Sequence, residues 1–266
     1  MCLILLAWRA HPQYPLIFAG NRDEAYDRPS AAPDFWPDAA AVYGGRDLEK
    51  GGTWLGLARS GRLAAVTNYR ERPAVRNAPR SRGELPARFL RETMDARDYL
   101  EQAIRSGTDY AAFSLIAGDR ERLLYCSNRN GDIQELPPGV HGLSNHLLNT
   151  PWPKITRGRQ RLAQLLAADE ARLSAGLFDI LLDRAPAPDA ELPDTGVGLQ
   201  RERELSASFV AGESYGTRAS TIVLIDRDGE ALFIERAFGP RGAALGTTEK
   251  RFALEPRVPP RKAIRC

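Results

Sequence analysis

The chain opens on seven apolar positions in a row, Cys2-Leu3-Ile4-Leu5-Leu6-Ala7-Trp8, and a second apolar run follows at Leu16–Gly20. Runs this short, bounded by the turn-forming His11-Pro12-Gln13-Tyr14-Pro15, predict two buried strands. Asn21-Arg22-Asp23-Glu24 breaks the apolar pattern directly after the second of them. Arg28–Ala40, rich in Pro, Ala and Asp, reads as a loop. Thr53–Ala58 and Arg62–Asn68 predict a hairpin turning at Arg59-Ser60-Gly61, and Ala112–Ala117 with Arg122–Ser127 predict another. Asp132–Leu136 and Gly139–Leu143 are shorter strands, and Ser220–Ile225 with Glu230–Glu235 form a last hairpin over Asp226-Arg227-Asp228-Gly229.

Helical spacing appears at Gly83–Thr93, Ala96–Ser106, Pro153–Ala168 and Leu173–Asp183, and Ala185–Glu191 reads as a loop. Strand pairs grouped around two helical blocks predict an α+β fold with antiparallel sheets. Gly44-Gly45 and Gly51-Gly52 lack the spacing of a nucleotide-binding turn. No linker divides the chain, so residues 1–255 are expected to form one domain, with a fraying Pro/Arg-rich tail at 256–266.

Composition narrows the class. With 266 residues, 43% hydrophobic and 27% charged, the chain can fill a large core and is not of disordered type. A net charge of +3 with no dense Lys/Arg run gives no nucleic-acid footprint. Arg70, Arg72, Arg76, Arg80 and Arg82 do cluster, either as a solvated loop or as a surface that greets an anion. Cys2, Cys126 and Cys266 are too scattered for a disulfide framework or a zinc site, which suits a cytoplasmic setting. The N-terminal apolar run is too short for a membrane span and lacks the basic start of a signal peptide.

Candidate chemistry centres on Cys2. Cysteine in second position is small enough for Met1 to be removed, which leaves a thiol and an α-amine on one residue. Their ordinary pKa values, about 8.5 and about 7.7–8.0, let the amine serve as base for the thiol. The competing reading is a small apolar residue heading a buried strand. Asp23 can orient such an amine. Asn68 and Asn145, each at a strand end, can donate to an oxyanion, although asparagine is also a common turn former. Arg218 enters a strand and needs a partner: it either favours a thiolate nearby or pairs with a carboxylate such as Glu235. His11, His141 and His146 form no metal pattern and read as structural.

Several segments in order resemble the NRDE family, also called the transport-and-Golgi-organisation protein 2 family. They are Met1-Cys2, Asn21-Arg22-Asp23-Glu24, Gly52-Thr53-Trp54-Leu55-Gly56, Val66-Thr67-Asn68-Tyr69-Arg70, Ser81-Arg82-Gly83, Gly142-Leu143-Ser144-Asn145, Pro151-Trp152-Pro153-Lys154 and Tyr215-Gly216-Thr217-Arg218. That family is similar to the N-terminal nucleophile hydrolases of the penicillin V acylase and bile-salt hydrolase group. The resemblance implies a four-layer αββα sandwich with two stacked antiparallel sheets. It implies Cys2 as nucleophile, Asp23 as its aspartate, Asn145 as oxyanion donor and Arg218 as the later arginine. Asn21, Arg22, Trp54 and Asn68, from the same motifs, are expected to contact substrate. The acylases' early arginine aligns with Gly20, and Arg22 replaces it only if its side chain shares the face of Cys2.

Two functions follow from the resemblance. One is a hydrolase of amides or acyl thioesters, needing no cofactor. The other is a non-catalytic protein that binds and carries haem, acyl-CoA or lipid. For haem this chain offers only Cys2, Cys126 and the three histidines as axial ligands, and no Cys-Pro dipeptide. Small molecules are the expected partners in both; oligomeric state stays open.

Overall fold

The computed structural model describes residues 2–71 and 78–256. Met1, Arg72, Arg76 and the tail from residue 257, Cys266 included, lie outside the described residues. Element order is β1 (Cys2–Trp8), β2 (Leu16–Ala25), β3 (Ser30–Trp36), β4 (Ala39–Asp47), β5 (Leu55–Ala58), β6 (Leu63–Asn68), α1 (Glu84–Arg91), α2 (Ala96–Arg105), β7 (Phe113–Gly118), β8 (Leu123–Ser127), β9 (Ile133–Glu135), β10 (Gly139–Leu143), α3 (Pro153–Leu165), α4 (Glu170–Leu181), α5 (Leu199–Ser206), β11 (Tyr215–Ile225), β12 (Glu230–Phe238) and β13 (Ala244–Ala253).

The strands form two antiparallel sheets, one in the order β10-β1-β2-β11-β12-β13 and one in the order β3-β4-β5-β6-β7-β8-β9. Side-chain alternation assigns every strand residue to a layer. Ile4, Leu6, Trp8, Leu16, Phe18 and Phe233 meet Tyr43, Leu55, Leu57, Ile116 and Tyr125 between the sheets. The opposite face of the first sheet, Leu3, Leu5, Ile17, Ala19 and Ile222, packs on Ile155, Leu162, Leu173 and Leu177 of α3 and α4. Val66, Leu115 and Leu124 of the second sheet pack on Leu85, Phe89, Tyr99 and Leu100 of α1 and α2. The result is the four-layer αββα sandwich. Because β1 is covered on both faces, its apolar run is unbroken.

Two expectations are corrected. Arg28–Ala40 is not a loop: β3 and the start of β4 occupy it. Pro33 is tolerated because β3 is the edge strand, with irregular register between Ala31 and Asp34. Asn21-Arg22-Asp23-Glu24 lies within β2 rather than after it. Asp132–Leu136 and Gly139–Leu143 do give β9 and β10, yet Pro137-Pro138 separates strands of different sheets.

Candidate active site at the head of the first strand

Cys2 pairs directly across from Arg22, and Leu3 across from Asn21. Cross-strand partners share a face, so the Arg22 side chain stands beside the thiol, on the face toward the other sheet. The condition for Arg22 to serve in place of the absent arginine at position 20 is therefore met. Gly20 sits on that face too, and a Cβ there would lie 2.9 Å from the Leu3 carbonyl oxygen and 3.0 Å from the Trp54 ring. Trp54 thus fills the space a side chain at position 20 would need.

Asn21 and Asp23 point the other way, toward the helices. Asn21 is fully buried, donates to the carbonyls of Leu181 and Ser208 at 2.8 and 2.7 Å, and accepts from Ser220 Oγ. Its amide is spent inside the protein, so the expected substrate contact at Asn21 is corrected to a structural tie. Asp23 is 2% exposed, and its Oδ1 accepts from Thr217 Oγ1 at 2.7 Å. Burial pushes this carboxyl up, opposed by the chain's amino charge, Lys154, the Thr217 hydroxyl and Arg70. Burial also pushes the Cys2 thiol up; the amino charge, Arg22 and the Asp23 backbone N–H pull it back.

A cavity of about 880 Å³ opens over this face. Cys2, Arg22, Ala219 and Ala237 form one row of its floor; Gly20, Thr221, Glu235 and Thr248 form the next row of that face. Trp54, Thr67 and Asn68 line it from the second sheet, and Arg82, Tyr215 and Arg218 add further wall. Burial raises Glu235, which accepts from Thr221 Oγ1, to about 7.

Asn145 stands one step back. It is fully buried, and its Nδ2 donates to Asn68 Oδ1 at 2.9 Å and Asn68 O at 3.1 Å. Ser144 Oγ ties the same loop to the Cys2 carbonyl at 2.9 Å. Asn68 lines the cavity wall, and Asn145, buried behind it, donates to it.

Arg218 is the extra residue of a bulge, since Thr217 pairs with Asp23 and Ala219 with Arg22. Its guanidinium donates to the carbonyls of Ala25, at 3.1 Å, and Arg28. It forms no ion pair with Glu235, which accepts from Thr221 Oγ1. Of the arginine cluster, the described members Arg70, Arg80 and Arg82 are not a freely solvated group. Arg70 is buried against Glu202 at 2.6 Å, Arg80 pairs with Glu84, and Arg82 faces the cavity while donating to the Ala112 carbonyl at 3.0 Å.

Lys154 was not foreseen as part of the site. It is 2% exposed, begins α3, and donates from Nζ to the Leu205 carbonyl at 3.1 Å. Burial lowers it to about 8, while the charges of Asp23, Cys2 and Glu202 favour its cation. Its sequence signal was the Pro151-Trp152-Pro153-Lys154 motif, which carries no chemistry until α3 docks behind β1. The histidines are structural: His141 bonds the Pro137 carbonyl, and His146 lies between the rings of Tyr69 and Trp152.

The two stacked antiparallel sheets and their flanking helices have the sandwich architecture of the N-terminal nucleophile hydrolase fold. A solved conjugated bile acid hydrolase of Clostridium perfringens, in mutant form, superposes with a TM-score of 0.52 at 10% identity, covering 96% of this chain and 92% of that one. The family model described as Transport and Golgi organisation 2 matches residues 1–240. The Transport and Golgi organization protein 2 homolog of Bos taurus is 38% identical over 96% of this chain and its own whole length. The Homo sapiens homolog is 38% identical over 89% of this chain and 93% of its own, and the Drosophila melanogaster protein 31% over 88% and 91%. The chain belongs to the Transport and Golgi organisation 2 family. Among the described residues, no helix is long and apolar enough to cross a membrane.

Proposed function

We propose that this protein is an N-terminal cysteine hydrolase that cleaves an amide or acyl thioester through Cys2 once Met1 is removed. One observation carries the reading: the thiol faces the cavity beside Arg22, while Asp23 sits on the opposite face of the same strand pair. A freed α-amine belongs to the main chain and lies in the plane of the sheet. The thiol can reach it from one face and the Asp23 carboxylate from the other.

In the proposed reaction the amine takes the thiol proton and the sulfur forms a bond to the acyl carbon. The Asn68 amide, held by Asn145, donates to the oxyanion. As the tetrahedral intermediate collapses, the C–N or C–S bond breaks and the leaving group takes the proton from the Cys2 amine. Water, deprotonated by that amine, then breaks the bond to Cys2 and releases the acid. Lys154 and Arg70, the cations near Asp23, favour its ionised form.

A second reading rests on the size of the cavity, which suits carriage of haem, acyl-CoA or lipid without turnover. Among the described residues no histidine lines it, so of the cysteines and histidines considered for haem only Cys2 lies at the cavity. Intact mass and turnover decide. Loss of Met1, with hydrolysis of acyl amides or thioesters that disappears in Cys2→Ala, is the expected result. Retained Met1 with no turnover overturns the hydrolase, and tight binding that survives Cys2→Ala then selects carriage.

A further inference from the structure

Three guanidinium groups converge on the cavity without an ion pair to a described carboxylate. Arg22 is the cross-strand partner of Cys2, Arg218 rises from the adjacent bulge, and Arg82 comes from the loop before α1. Arg218 and Arg22 are close enough for burial and their mutual repulsion to disfavour the Arg218 charge. Arg82 is held down by burial, although Cys2 and Glu24 favour its cation. Among the other cations of the cavity wall, Arg28 pairs with Asp47, Arg46 with Asp38 and Arg80 with Glu84, while Lys50 is exposed at its rim. Arg22, Arg82 and Arg218 form no ion pair with any described carboxylate. The residues outside the described set contain no aspartate or glutamate side chain.

Glu24 and Asp27 favour the Arg218 cation and Glu24 that of Arg82, but neither carboxylate forms an ion pair with these arginines. Asp23 faces the helices, Glu24 Oε1 accepts from the Ala25 N–H, and Glu235 accepts from Thr221. Like charges brought together in a partly desolvated wall repel unless something anionic sits among them. Guanidinium groups suit carboxylate and phosphate because each can donate two parallel hydrogen bonds.

We infer that this cavity binds a compact oxyanion, so that the substrate cleaved at Cys2 carries a carboxylate or phosphate a few bonds from its acyl carbonyl. Position decides the distance. Arg22 begins on the residue opposite Cys2, which places the charge it holds close to the reacting carbon. The inference rests on the hydrolase reading for its substrate, but the anion site itself is testable without turnover.

Iodoacetate and iodoacetamide alkylate a thiol at the same kind of carbon and differ in charge. For Cys2, the ratio of the iodoacetate rate to the iodoacetamide rate is expected to exceed that of a free thiol such as N-acetylcysteine by about 10–100-fold. The iodoacetate rate should also saturate with concentration, and the ratio should fall in Arg22→Gln and Arg218→Gln. Arg218→Gln, at a half-buried strand bulge, serves if Arg22→Gln fails to fold. A ratio equal to the free thiol's overturns the anion site. In parallel, Cys2→Ala protein is titrated by calorimetry with hexanoylglycine, hexanoylaminomethylphosphonate and neutral hexanoylglycinamide. Preference for an anion by about 10–100-fold supports the inference, and the better anion distinguishes carboxylate from phosphate. Equal binding of all three, or none, overturns it. If neither reagent labels Cys2, the nucleophile reading falls and the titration still decides the anion site.

Discussion

At the residue scale, the division of labour between Asn68 and Asn145 is open to direct test. Asn68→Ala removes a side chain of the cavity wall and is expected to lower kcat/KM by roughly 10²–10³, with the smaller stability cost of about 1 kcal/mol, because the buried Asn145 amide loses one of its two acceptors and keeps the Asn68 carbonyl. Asn145→Ala should lose activity through Asn68 and also cost about 1–3 kcal/mol, because the Asn68 carbonyl and the buried Ser144 hydroxyl lose a partner. Equal stability of the two variants, measured by urea unfolding, would sink the distinction. Glu235 makes a second prediction. Burial raises its pKa from 4.5 to about 7, so between those values the folded protein holds a proton that the unfolded chain has released. Stability therefore falls as pH rises through that window, by about 1–3 kcal/mol, and the loss is complete above it. Glu235→Gln is expected to flatten this slope and to be the more stable protein at alkaline pH. An unchanged slope would show that another group titrates. Of these residues Asp23, Asn68 and Asn145 were legible as polar breaks at strand ends, and Cys2 by its position behind Met1. Asn21 was misread because alternation, not polarity, decides which face it serves. Lys154 was invisible because its role depends on α3 lying behind β1.

At the element scale, the close approach of two loops fixes one wall of the site. A Cβ on Gly52 would lie 2.4 Å from the Gly83 carbonyl carbon, and the Thr53 N–H bonds the Gly83 carbonyl at 3.0 Å. Backbone cannot yield as a flexible side chain would, so Gly52→Ala is expected to cost about 1–3 kcal/mol and to displace Arg82 from the cavity. Denaturant unfolding measures the cost, and a fall in the iodoacetate preference of Cys2 measures the displacement. Wild-type values for both would remove this contact from the account. The hairpins β5–β6, β7–β8 and β11–β12 were legible because both strands are apolar and the turns carry Gly or Asp. By contrast β13 lies at a sheet edge, exposed along most of its length, and leaves no period-two pattern to read. The strand β3 hid behind Pro33 for the same reason. The short helix α5 escaped because its inward face carries Glu202 rather than an apolar stripe.

At the scale of the whole molecule, the layers are held together by apolar packing except at the site end, where a buried ion pair does the joining. Arg70 follows β6 of the second sheet, Glu202 belongs to α5, and they meet at 2.6 Å with side chains 6% and 4% exposed. The Arg70 guanidinium stacks over Trp152 at the head of α3, and its backbone N–H bonds the Asn145 carbonyl at 2.7 Å. Glu202 also accepts from the Thr195 hydroxyl and N–H. One pair therefore links the second sheet, the loop that holds Asn68, and the helices behind β1. A buried pair gains little over an apolar substitute, but breaking one side strands the other charge. Glu202→Gln is expected to cost about 3–5 kcal/mol in urea unfolding, whereas Arg70→Met with Glu202→Leu together should lie closer to the wild type. The single variant should also lose the protection of Cys2 that its neighbours give, read as faster labelling by iodoacetamide. If Glu202→Gln unfolds like the wild type, the pair is not what closes this end of the sandwich. If it is destabilised while Cys2 labels unchanged, closure and site are independent, and the cavity owes its shape to the sheets alone.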